Sequence, residues 1–137
     1  MVRSTLSETE RKGQAMLTMK RMPEDEKRAL LVSLGLEDTD TFVYEAKEGG
    51  AQIGYAVFQN KDGRPTAIRV DYGTDEGLFD GLLRAGMAWL EDNGFTALYF
   101  SEQMDQALLK KWYFITDDIK YVDSIGDFLK SCKKCRM

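Results

Sequence analysis

Apolar residues recur at helical spacing most clearly between Leu78 and Leu90. Leu78, Phe79, Leu82, Leu83, Gly86, Trp89 and Leu90 lie three, four and seven apart, so they form one stripe that packs on a sheet. The spacing predicts a helix from Asp75 or Glu76 to Asn93. Asp75 and Glu76 suit its positive end, and Gly94 suits its stop. Trp89 falls on the stripe and is read as core, not as a ligand platform.

Upstream the period changes from helical to alternating. Thr39–Ala46, Ala51–Gln59 and Thr66–Val70 read as three strands of an antiparallel meander. Turns at Lys47–Gly50 and Asn60–Pro65 separate them. In the middle strand Ile53, Tyr55 and Val57 share one face. A first strand is expected over Ala15–Met22. Pro23 and the acidic run Glu24–Glu26 then open a helix, with Ala29, Leu30, Leu31 and Leu34 on one side and Gly35 as its stop.

Downstream, Phe95–Phe100 is nearly continuous in apolar residues, as a buried parallel strand is. A helix carrying Leu108, Leu109 and Trp112 follows. Tyr113–Ile115 either ends that helix or starts a strand, and Ile119–Asp123 reads as a final strand. Ile125–Leu129 reads as a closing turn of helix. Near the start, Ser7–Glu10 fits a capping box. The expectation is one domain over 137 residues, with 1–14 as a loosely docked helix or arm and 130–137 as a basic tail.

The chain has no histidine. That removes Ser-His-Asp and Cys-His catalysis and any imidazole-dependent metal site, leaving carboxylates, tyrosine, cysteine, lysine or water for acid–base work. The net charge of -4 argues against a nucleic-acid partner. No apolar run reaches bilayer length and no signal core opens the chain, so the expectation is a cytoplasmic protein with no membrane partner. Cys132 and Cys135 form a C-x-x-C pair on the basic tail. Partial zinc binding, disulfide formation and no role are all open to it; no essential role and no metal site is the favoured reading.

The segment Asp71–Leu83 joins an extended stretch to the best helix through glycine-bearing turns. A helix N-terminus of that kind is an anion-site candidate, although any strand-to-helix connection shares the pattern. In its order of elements the chain resembles the GNAT superfamily of acetyl-CoA-dependent N-acetyltransferases. The resemblance spans about Met16 to Tyr121 and is strongest over Gly54 to Phe114. The tail Ile125–Cys132 is also similar to small clostridial-type members.

The resemblance implies a mixed α/β (α+β) fold with a mostly antiparallel central sheet flanked by helices. It also implies acetyl transfer from acetyl-CoA to a small-molecule or peptide amine. Ile68, Arg69 and Val70 stand where the family's fourth strand holds the pantetheine arm. Gly77, followed by Leu78, stands at the first glycine of the family's pyrophosphate segment. Thr74 takes its Arg/Gln position and Phe79 its Gly/Ala position, and a shift of register brings in Gly81. Lys111–Phe114 occupies the Lys-x-Gly-Phe motif, which puts Leu109 at the family's proton-donating tyrosine. Tyr113, Glu45 and Glu102 are then the candidates for acid–base work, the two carboxylates reading equally well as surface groups. The rival reading is a non-catalytic domain of this fold with a decayed coenzyme site, acting in protein interaction or self-association, for instance as a homodimer. Asp75, Glu76, Phe79 and Leu109 favour it.

Overall fold

The computed structural model describes residues 17–135, with side chains described through Lys130. The Ser7–Glu10 capping box and the expected arm at 1–14 lie outside these residues. Five strands form one sheet in the order β1 (Leu17–Arg21), β2 (Thr41–Glu48), β3 (Ala51–Lys61), β4 (Arg64–Asp71) and β5 (Tyr99–Phe100). The first three pairings are antiparallel and β4–β5 is parallel. This is the mixed, mostly antiparallel sheet that the sequence predicts.

Alternation along β2 divides the sheet into two faces. Val43 joins Met22, Tyr55 and Val57 beneath helix α1 (Glu24–Leu34). Leu31 of α1 is fully buried there and Leu30 and Leu34 are half-buried, while Ala29 is exposed. Gly35 ends α1 at φ 70°, where the left-handed backbone suits glycine. Lys27 is buried on this side. Its Nζ donates to the Thr41 carbonyl at 3.0 Å and pairs with Glu24 and Asp38 at 3.0 and 2.9 Å.

Phe42, Ala46, Ala56, Phe58 and Ala67 face the other way, against helix α2 (Glu76–Asp92). The α2 stripe is buried as its spacing predicts except at Trp89, and Met87 and Asp80 are buried with it. Trp89 is half-buried, with the Arg21 guanidinium 4.8 Å from its ring centroid. Gly86 lets the helix backbone sit directly on the Phe58 ring; a Cβ there would overlap the ring. Helices α3 (Gln106–Lys111) and α4 (Ile125–Cys135) complete this layer.

Several sequence expectations change in the tertiary structure. Ile53 packs on the α2 side, away from Tyr55 and Val57, because a bulge between Ala46 and Lys47 leaves it as the extra residue of β3. The strand expected over Phe95–Phe100 shrinks to Tyr99 and Phe100, both half-buried. Leu98 instead forms an isolated antiparallel bridge with Val122, which is all that remains of the strand expected at Ile119–Asp123. Trp112 caps α3, and Tyr113–Ile115 is neither helix nor strand. The expected closing turn and most of the expected tail form one helix, so Cys132 and Cys135 lie in its last turns. Among the described residues no group of three or more His, Cys, Asp or Glu is placed to hold a metal ion, and no helix is long and apolar enough to cross a membrane.

Candidate functional site

The site begins with an irregularity in β4. Val57 of β3 pairs with Arg69, but its neighbour Phe58 pairs with Ala67, so Ile68 is an extra residue. Such a bulge bends a strand and increases its twist. On its other edge β4 pairs with β5 only through Thr66–Tyr99 and Ala67–Phe100. The Ser101 N–H donates to the Ala67 carbonyl at 2.9 Å, and there the two strands part. Crevices of this kind open at the carboxyl ends of neighbouring parallel strands.

The resulting cleft has a volume of about 340 Å³. Ile68, Arg69, Val70 and Tyr72 form one wall and Gln103, Met104 and Asp105 form the other. Phe79 lines it from α2, with Tyr72 edge-on at 5.7 Å and Phe114 at 6.3 Å between ring centroids. The far wall is itself well fixed. Gln103 N–H donates to Ser101 Oγ at 3.2 Å, and the Asp105 carboxylate caps α3 by accepting the Leu108 N–H at 3.1 Å.

Beside the cleft, the β4–α2 turn carries three carboxylates. Asp71 accepts the Gly73 N–H at 3.1 Å, where Gly73 adopts φ 58°. Asp75 is the helix cap and accepts the Gly77 N–H at 2.9 Å. Glu76 pairs with Lys111 at the end of α3. The amide donors of Gly73 and Gly77 therefore already hold carboxylate oxygens of the same chain.

Of the residues singled out in the sequence, Ile68, Arg69 and Val70 come together in the cleft wall. Gly77 is exposed at the mouth of α2, whereas Leu78 is buried. Gly81 lies against β1, where a Cβ would come 2.7 Å from Met19 Cε. Tyr113 is 80% exposed and lines a separate depression beside α4. Glu45, readable from sequence as a surface carboxylate, is completely buried on the α1 side. Its Oε1 accepts from Gln52 Nε2 at 3.1 Å, while Oε2 lies 3.7 Å from Lys47 Nζ and has no hydrogen-bond partner. Glu102 is exposed, one residue before the cleft wall. Leu109 is fully buried. Sequence reading did not single out Tyr72, Gln103, Met104 or Asp105 as site residues. The available signal was position: they sit just beyond the ends of two parallel strands.

No family model matches the sequence, and no characterised protein matches it by sequence. The three-dimensional likenesses are extensive. A ribosomal-protein-alanine N-acetyltransferase from Brucella melitensis superposes with a TM-score of 0.56 at 14% identity, over 78% of this chain and 98% of that one. The IAA acetyltransferase of Bacillus cereus gives a TM-score of 0.56 and 20% identity over 70% and 75% of the two chains. An Escherichia coli protein assigned as an N-acetyltransferase, solved with coenzyme A bound, gives 0.55 and 12% over 80% and 98%. The chain has the GNAT fold.

Coenzyme A, the group this GNAT fold implies, matches the residues in one part only. The β4 wall offers main chain at Ile68–Val70 to an extended, amide-bearing arm. The α2 mouth does not suit a diphosphate. Its Gly73 and Gly77 donors are occupied, and Asp71, Asp75 and Glu76 place like charge around it.

Proposed function

We propose that this GNAT-fold chain binds the extended arm of an acyl thioester in the β4–β5 cleft and transfers the acyl group to an amine. The observation that carries the reading is the bulge at Ile68 together with the parting of β4 from β5 after Ala67. An extended amide chain has the shape and hydrogen-bonding pattern to lie along that strand.

In the transfer, the neutral amine nitrogen attacks the thioester carbonyl carbon. A C–N bond forms, the C–S bond breaks and the sulfur leaves with the bond pair. The nitrogen loses its proton to water, and the thiolate takes one from water. Holding the two reactants in line supplies most of the acceleration in such a step. The acceptor is an amine, small or peptidic.

Thermal melts with and without millimolar acetyl thioester test the reading. A ligand at about a hundred times its Kd adds roughly 2.7 kcal/mol, which raises the midpoint of a domain of this size by several degrees. No shift with any acetyl thioester overturns it.

A second reading is a binding domain without turnover, and one observation favours it. Leu109, at the position of the family's proton-donating tyrosine, is fully buried, and Tyr113 is turned to solvent outside the cleft. Thioester binding with no thiol release across a panel of primary amines supports this second reading.

A further inference from the structure

We infer that the cleft selects an acyl thioester on a pantetheine-type arm that carries no diphosphate, in preference to intact acetyl-CoA. The inference rests on the thioester reading above and narrows its donor.

The reason is the state of the turn next to the cleft. An anion bound at a helix N-terminus needs free N–H groups and the positive end of the dipole. Here Asp75 Oδ1 holds the Gly77 N–H at 2.9 Å, and Asp71 Oδ1 holds the Gly73 N–H at 3.1 Å. A carboxylate thus already stands at both of these donors. Displacing Asp75 would uncap α2 and leave its charge beside the incoming phosphate. Glu76 adds a third carboxylate and engages Lys111, one of the two lysines in the last turn of α3. Phe79 occupies the ground between this turn and the cleft, held by Tyr72 and Phe114. The cleft lining itself is balanced, with Arg69 on one wall and Asp105 on the other. A neutral arm of amides suits that lining, whereas a diphosphate meets like charge at the exit.

Isothermal titration of the full chain with S-acetyl-pantetheine and with acetyl-CoA tests this. Acetyl-pantetheine is expected to bind about tenfold more tightly, because like-charge juxtaposition penalises the diphosphate. The acetyl-CoA affinity should rise with added sodium chloride, as screening weakens the repulsion, while the acetyl-pantetheine affinity stays level. A D75S/E76Q variant keeps a capping oxygen and removes both charges. With its fold checked by circular dichroism, it should bring acetyl-CoA to within about twofold of acetyl-pantetheine.

Equal or tighter binding of acetyl-CoA by the natural chain overturns the inference and leaves the thioester reading standing. Failure of both ligands overturns the reading itself. An affinity ratio that the D75S/E76Q variant does not move also overturns the inference, since the carboxylates are then not its cause. The same arm chemistry occurs free or attached to a carrier protein. A third titration with an acetylated pantetheine arm on a carrier protein separates these sources: tighter binding than the free arm identifies the carrier, and equal or weaker binding identifies the free thioester.

Discussion

The Phe58 ring lies directly on the backbone of α2 at Gly86, where a side-chain carbon would overlap it. Phe58 is fully buried and stacked on Phe42 at 4.8 Å between centroids, so it has no room to withdraw. In an exposed helix a Gly→Ala change gains up to about 1 kcal/mol of propensity. Here the overlap decides the sign. Gly86→Ala is expected to destabilise the fold by about 1–3 kcal/mol. Urea unfolding monitored by tryptophan fluorescence measures it; an unchanged midpoint would sink the packing account.

Lys27 ties α1 to the start of β2. Burial alone pushes its ammonium down, but hydrogen bonds and charge from Asp38 and Glu24 outweigh burial and raise it above its ordinary 10.5. A group raised on folding adds stability that is complete below its unfolded value and is lost as pH rises through the folded one. Stability is therefore expected to hold up to about pH 10.5 and fall above it. Lys27→Met is expected to cost about 1–3 kcal/mol at neutral pH and to flatten the alkaline limb. Denaturant midpoints across pH 7 to 12 check both.

Tyr113 sits at φ 69° just past α3 and is 80% exposed. Its N–H donates to the Lys110 carbonyl, and the following Phe114 N–H donates to the Leu109 carbonyl. This is a left-handed helix end, where glycine carries no Cβ penalty. Tyr113→Gly is expected to leave stability unchanged or raise it by up to about 1 kcal/mol, and to leave thioester affinity unchanged. A loss of affinity in this variant would place Tyr113 at the site after all.

Arg84 links α2 to α4. Its Nε lies 2.6 Å from Asp80 Oδ1, and its guanidinium covers the Phe128 ring at 4.8 Å and the Phe114 ring at 5.5 Å. Arg84→Met keeps much of the aliphatic contact and removes the charge. A loss of about 2 kcal/mol is expected, combining a charge-assisted hydrogen bond with cation–π contact. Amide exchange should quicken in α4 before it does in β2 or β3. Uniform quickening across the chain would contradict this local role.

Much of the fold was legible because it is written locally. The α2 stripe, the glycine stop of α1 at Gly35 and the turn-linked run of β2, β3 and β4 depend on neighbours a few residues apart. Ile68–Val70 came from the resemblance to the GNAT superfamily, and all three lie in the cleft wall. Glu45 did not read correctly. Nothing adjacent to it announces that α1 and the flanking strands bury that face. Met104 and Asp105 were missed for a similar reason. They meet Ile68 and Arg69 across more than thirty residues of chain, and no local pattern records that meeting.

The sequence by itself determined helices α1 and α2, the strand run β2–β4 between them and the glycine stop of α1, since each follows from short-range backbone chemistry and hydrophobic period. It also determined that these 137 residues supply no imidazole. Only the tertiary structure decided where β4 and β5 part, because their pairing joins residues more than thirty positions apart in the chain and stops at Ala67 and Phe100. It alone decided that Asp71 and Asp75 occupy the Gly73 and Gly77 amides. Which way a carboxylate turns depends on the three-dimensional path of the turn, and the composition of the turn does not specify that path.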